Sequence, residues 1–152
     1  ALAEPKYALR SALAFRAALK AEGSEFDSYI GIETGLRPPQ LTKDLNQQLS
    51  KVFVNSGRIL ERLKVQENLG LRIAYPACAA VSILVDHIAS SWTAIQARAA
   101  LEMIPPNSNL TYTEVAKRLD KSRQSVTKTL DASAILKIDL ALSHIESDES
   151  HV

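Results

Sequence analysis

The spacing of apolar residues along this chain changes several times, and each change marks an element. From Pro5 to Ala21 the apolar residues Tyr7, Leu9, Leu13, Phe15 and Leu19 stand among alanines, with Lys6, Arg10, Arg16 and Lys20 between them. That pattern predicts an amphipathic helix, ended by Gly23. Phe26 to Thr34 alternates, with Phe26, Tyr29, Ile30 and Ile32 supplying bulk, and predicts a strand. Gly35 and Pro38-Pro39 make a loop. A second helical region follows from Leu41 in two pieces, with Leu49, Val52, Phe53, Ile59, Leu60 and Leu63 as its stripe and Gly57 as a break or a close backbone contact. Leu71 to Tyr75 predicts a second short strand, stopped by Pro76.

From Ala77 onward the pattern is wholly helical. Val81, Leu84, Val85, Ile88, Trp92, Ile95, Ala99 and Met103 fall near one stripe, and Ser90-Ser91 leaves open whether one helix or two carries them. Pro105-Pro106 stops this stretch. Ala132 to Ile145 closes the pattern with an apolar face too broad for solvent, which should pack on the long helix or on a partner chain. Glu146 to Val152 is polar and expected to fray.

Between them, Thr111 to Asp131 predicts a helix-turn-helix. Thr111 with Glu114 three residues on is a capping box, and Val115, Ala116 and Leu119 then share one helical face. Leu119-Asp120-Lys121-Ser122 is the tight turn, and Ser122 can cap a second helix through Val126 and Leu130. Ala116 is small where the helices would cross, and Val126 returns an apolar side chain ten residues later. The turn position most often filled by glycine holds Asp120.

The fold class expected is mainly α, with a small, incomplete α+β N-terminal part and a C-terminal helix-turn-helix domain. Residues 1–75 would form a partial α+β domain of ferredoxin- or cyclase-like kind, and residues 76–152 a helical domain containing the motif at 111–131. Two strands do not make an independently stable sheet, so further strands are expected before residue 1 or from a second copy of the chain.

The outward face of the second motif helix carries Ser122, Arg123, Gln124, Thr127 and Lys128, all polar and none acidic. A helix in the major groove needs such residues near its N-terminus, because base edges present acceptors and donors that Arg and Gln engage in pairs. Arg123, Gln124, Thr127 and Lys128 are therefore expected at base edges, with Ser122, Thr111 and Thr113 at phosphates. The simpler alternative is a solvated helix face without Asp or Glu.

Charge narrows this picture. Eighteen basic residues against seventeen acidic ones, with a formal net charge of +1, exclude a strongly basic nucleic-acid binder, so any DNA affinity must come from a local patch. Residues 111–131 hold five Lys or Arg against three acids, and 132–152 one against four. Residues 41–72 are also basic, six against three. At 152 residues and 46% hydrophobic, the chain is long enough for a real core. The single cysteine, Cys78, forms no internal disulfide, sits among small apolar residues, and fits a reducing, cytoplasmic setting. No stretch reads as a signal peptide or a membrane span, and the missing initiator Met suggests a trimmed or partial chain.

The remaining signals read as structural. His87, His144 and His151 show no ligand spacing with Cys78, so neither metal nor cofactor is expected. Asp86-His87 lacks an accompanying nucleophile and reads as a polar edge on a mostly buried helix, and Trp92 as a core anchor beneath the motif. Lys51, Arg58, Arg62 and Lys64 lie at helical spacing, either lining a phosphate path or forming a wet face.

Trp92-Thr93, Gln96 and Ala100-Leu101, followed by the motif and a closing helix, resemble the C-terminal half of SatD-like bacterial proteins. Tyr29-Ile30-Gly31-Ile32-Glu33-Thr34-Gly35 and Val54-Asn55-Ser56-Gly57-Arg58-Ile59-Leu60 resemble their first half. The resemblance implies an α+β part joined to a helix-turn-helix, a bacterial cytoplasmic setting and a regulatory role. Its first-half phrases are also similar to class III nucleotidyl cyclases, where an Asn and an Arg engage the nucleotide. Here Asn55 and Arg58 are three apart where that family spaces them by four, and the metal-binding acids are missing, since Asp27 and Glu33 are not placed to replace them. No catalytic residue is expected. The reading is a homodimeric, sequence-specific binder of double-stranded DNA and a bacterial transcriptional regulator. The alternative is a protein-interaction or nucleotide-sensing module with a degenerate cyclase-like domain.

Overall fold

The computed structural model describes residues 4–35, 51–65, 70–74, 76–106 and 108–147. After a 3-10 turn at Pro5–Tyr7, helix α1 runs Ala8–Glu22 and strand β1 Ile30–Ile32. Helix α2 (Lys51–Val65) precedes strand β2 (Leu71–Ile73), and five helices follow: α3 (Pro76–Ser90), α4 (Ala94–Met103), α5 (Tyr112–Arg118), α6 (Arg123–Ser133) and α7 (Ile135–Ser147). The protein is thus mainly helical with a small parallel sheet, β1 pairing β2 in the register Ile30 to Leu71 and Ile32 to Ile73.

The two strands persist because helices cover both of their faces, as parallel strands require. Ile30, Ile32 and Leu71 pack with the core that α1 anchors. Gly31 points the other way, onto α2: a Cβ there would lie 3.0 Å from the Ser56 carbonyl and 3.1 Å from the Leu60 nitrogen. Glycine is what lets the helix backbone rest on the strand. Gly57, by contrast, neither breaks α2 nor packs closely, since the helix runs through it and a Cβ there would meet open space. The expected first piece of that region, residues 41–50, lies outside the described residues.

The strand expected over Phe26 to Thr34 shrinks to three residues. Its first half is instead irregular, following a turn closed by the Phe26 N–H on the Gly23 carbonyl at 2.9 Å, with Phe26 and Tyr29 exposed. Asp27 explains the difference, because its carboxylate is drawn to α1 rather than to a neighbouring strand. The long helical stretch is split: after Ser90 the chain turns, and Thr93 starts α4 with a reciprocal capping box to Gln96. The new helix has its own phase, which leaves Ile95 exposed despite its place on the expected stripe; Leu84, on α3, is exposed as well. The second motif helix runs on to Ser133, past the expected start of the closing helix at 132. Ala134, in the left-handed region at φ 55°, makes the corner to α7.

One apolar cluster links Leu9, Leu13 and Ala17 of α1 and Leu71 of β2 to Val85, Trp92, Ala97, Ala100, Val126, Leu130, Ile135, Ile138 and Leu142. Trp92 is the anchor the sequence suggested: it is buried, and its indole N–H donates to the Ser133 carbonyl at 2.9 Å, tying α3 to the α6–α7 corner. Cys78 is buried, and that burial pushes its thiol above the ordinary range.

Two buried ion clusters, absent from the sequence reading, tie α1 into this frame. Arg10 donates through Nε and Nη2 to Glu146 at 2.6 and 2.8 Å, and through Nη1 to Asp139 at 2.6 Å and the Ile104 carbonyl at 2.7 Å. Glu146 therefore belongs to α7 and does not fray; 148–152 lie outside the described residues. Arg16, 1% exposed, holds Asp27 through two bonds of 2.7 Å and also binds Asp86, itself 0% exposed. The Asp86 carboxylate further accepts the Gly70 N–H, so it is an interior group rather than the polar edge expected for it. A Cβ at Gly70 would lie 2.8 Å from Arg16 Nη2, and glycine there makes room for the pair. No described helix is long and apolar enough to cross a membrane.

Candidate nucleic-acid interface

Helix α5 begins where local chemistry dictates. The Thr111 hydroxyl accepts the Glu114 N–H at 3.3 Å, and the Glu114 carboxylate accepts the Thr111 N–H and hydroxyl, each at 2.7 Å. The Thr111 N–H, then its hydroxyl, hold the Glu114 carboxyl below its usual range. Helix α5 ends in a Schellman arrangement: the Lys121 N–H reaches the Ala116 carbonyl at 2.9 Å and the Asp120 N–H the Lys117 carbonyl at 3.3 Å. Asp120 takes the left-handed conformation, φ 51°, that glycine usually fills. Aspartate is among the residues that tolerate it, so the departure from glycine does not prevent the turn.

Ser122 then caps α6, its hydroxyl accepting the Ser125 N–H at 3.2 Å. Val126 and Leu130 face inward against α4 and α5 and are fully buried. This fixes the rotation of the helix: Gln124 and Lys128 are exposed on the opposite side, and Arg123 is exposed in the first turn. Among the described residues none of these three side chains has a hydrogen-bond or ion-pair partner.

The other expected site residues stand differently. The Thr127 hydroxyl donates to the Arg123 carbonyl at 2.9 Å, so its proton is spent on its own helix and only its oxygen can meet a ligand. Ser122 has its oxygen engaged as a cap but keeps its proton free to donate. Thr113 is exposed. The Thr111 hydroxyl is committed to Glu114, whose charge sits against the first turn of α5, a poor place for a phosphate. The first turn of α6 carries no acid. Exposed Lys117 and Lys121 flank the face and were given no role from sequence, although both belong to the local basic excess. Arg118 is partly neutralised by Glu102 at 2.8 Å.

Elsewhere a cleft of about 680 Å³ opens beside Arg16, Asp27, Tyr29, Gly70, His87 and Ser90. Its floor is already self-satisfied. Burial would raise the Asp27 carboxyl, but Arg16, the Ser28 N–H and Lys20 outweigh it and hold it below the usual range. A carboxylate locked this way is not a free acid or base. Among the described residues no three His, Cys, Asp or Glu side chains cluster to hold a metal ion. Comparison of the chain with protein-family models, curated proteins and solved structures gives no match.

Proposed function

We propose that α5, its turn and α6 act as a helix-turn-helix and that the protein is a sequence-specific binder of double-stranded DNA serving transcriptional regulation. The observation that carries this reading is that Arg123 in the first turn of α6, and Gln124 and Lys128 on its outward side, stand exposed and unpartnered on a helix held from behind by Val126 and Leu130. Base edges in the major groove present acceptor and donor pairs that these side chains match. The acid-free N-terminus of α6, with the Ser122 proton, suits an adjacent phosphate. One such helix gives limited contact, so the reading includes a homodimer on paired half-sites. The SatD-like resemblance agrees with this role and remains part of the proposal.

The test is selection of bound duplexes from random sequence, followed by titration of the selected duplex against Arg123→Ala. The expected loss is about 1–3 kcal/mol on the selected sequence if Arg123 reads a guanine. Equal binding by wild type and variant removes the assignment.

A further inference from the structure

A second cationic surface lies away from α6. We propose that the outer face of α2 is a sequence-independent contact for the phosphate backbone of duplex DNA. Lys51, Arg58 and Arg62 stand at i, i+7 and i+11, one side of a helix, and Lys64 lies on another side of its last turn. All four are exposed, and Glu61 is the one acid among the fifteen residues.

Three features separate this face from an ordinary solvated one. A solubilising helix face interleaves both signs at i, i+4 spacing, whereas α2 carries four cations to one acid. The buried and half-buried cations are matched: Arg10, Arg16 and Lys20 each have a carboxylate, as does Arg118, and Arg98 caps α1 at the Ala21 carbonyl, 2.6 Å away. The α2 cations thus belong with the exposed, unmatched ones of α5 and α6. Among the described residues the α2 cations have no acidic partner. The stripe is also held on a stiff support, since Ile59 and Leu63 are buried and the helix backbone rests on Gly31.

Length and charge fit a duplex. Eleven residues of helix span about 16 Å, a distance over which B-DNA presents roughly ten phosphates. Nothing on this face resembles a device for reading bases. It lacks the Arg-Gln pair of α6, so its contribution is electrostatic. The face is not an extension of the α6 surface either. Helix α2 packs on β1 and β2, and α6 on α4, α5 and α7, with the sheet, α1 and α4 between them. A duplex on α2 is therefore a different segment from one on α6, and a single subunit can hold two segments together.

The experiment uses the full chain and a duplex of arbitrary sequence, titrated over a range of salt concentrations. The double variant Arg58→Gln, Arg62→Gln should weaken binding by a similar factor on every sequence. The plot of log affinity against log salt should become shallower by about 2, one unit for each phosphate no longer neutralised. Its urea midpoint should match wild type, because both side chains are solvated. Unchanged affinity and slope, or no duplex binding by wild type at low salt, overturn the proposal. So does a defect confined to vesicles of anionic lipid. Arg123→Ala, run in parallel, tests α6 separately: it should affect only the selected sequence, so either surface can fail while the other stands.

Discussion

Helices α1 and α6 both carry basic residues at helical intervals, and the molecule puts them to opposite uses. In α1, Arg10, Arg16 and Lys20 are buried among partners while Phe15, one residue from Arg16, is 54% exposed. In α6, Arg123 and Lys128 stand in solvent and the apolar Val126 and Leu130 are buried. The ordinary hydrophobic order holds in α6, whereas the buried side of α1 mixes Leu9, Leu13 and Ala17 with three cations. What differs is the surroundings: acids from three other segments converge on α1, whereas none reaches the outer side of α6. A buried cation therefore reports the fold around it, and an exposed unpartnered one leaves charge available for something outside the chain.

The strongest way to break this comparison is to remove a buried cation of α1. Arg16→Met keeps bulk and an apolar surface but leaves Asp86 buried without its cation. Breaking a buried pair from one side costs about 3–5 kcal/mol, because the remaining charge is uncompensated. Urea unfolding of the variant should show that loss. A stability within about 1 kcal/mol of wild type would mean that Arg16 is not the interior counter-charge of Asp86. A double substitution, Arg16→Met with Asp86→Leu, should recover part of the loss, since no charge is then left unpaired at position 86. The recovery is incomplete because Asp27 keeps only Lys20 as a cation and the Gly70 N–H loses its acceptor.

The sequence contained part of this, and the missing part has a physical cause. The helix-turn-helix geometry expected over 111–131 rests on neighbours: Thr111 with Glu114, and Ser122 with Ser125, are three residues apart and satisfy local N–H groups whatever the rest of the chain does. The same holds for the start of α4, where Thr93 and Gln96 settle a choice that Ser90-Ser91 left open. Arg16 and Asp86 are seventy residues apart, and no local rule links them. Two traces were nevertheless present. Leu9, Leu13, Arg16 and Lys20 fall at i, i+4, i+7 and i+11, which is the buried stripe itself. Asp86 was the lone carboxylate of an apolar helix, a group that burial obliges to find a cation. The candidate site was legible as a set of polar residues on α6, and Arg123, Gln124 and Lys128 are exposed. That the proton of Thr127 and the hydroxyl of Thr111 are already taken depends on rotamers, which spacing does not encode.

A second and smaller effect sharpens the comparison through pH. Asp27 is held below its ordinary range in the folded protein, burial opposing and Arg16, Ser28 and Lys20 prevailing. A carboxylate depressed by folding contributes stability that is complete above its unfolded pKa, about 3.9, and is lost as pH falls through the lower folded value. The urea midpoint should accordingly decline on the acid side of pH 4. Asp27→Asn should start lower at neutral pH and show a shallower acid decline, because one proton-linked contact has been removed. Parallel curves for the two proteins would mean that the Arg16–Asp27 contact does not contribute to acid sensitivity.

The smallest effect expected is on α6, and its smallness is informative. Arg123→Ala and Lys128→Ala remove charges that touch nothing else in the described chain, and alanine is the better helix former. Each should leave the urea midpoint within the equivalent of about 0.5 kcal/mol of wild type, as for surface sites without partners. If Lys128→Ala instead destabilised the protein as a buried-pair variant does, the side chain would have an internal acid and its face would not be free for a ligand. A stability left untouched together with weakened duplex binding is the combination that separates a recognition helix from a structural one. Position 16 should show the reverse order of magnitudes, because its charge is already neutralised within the fold.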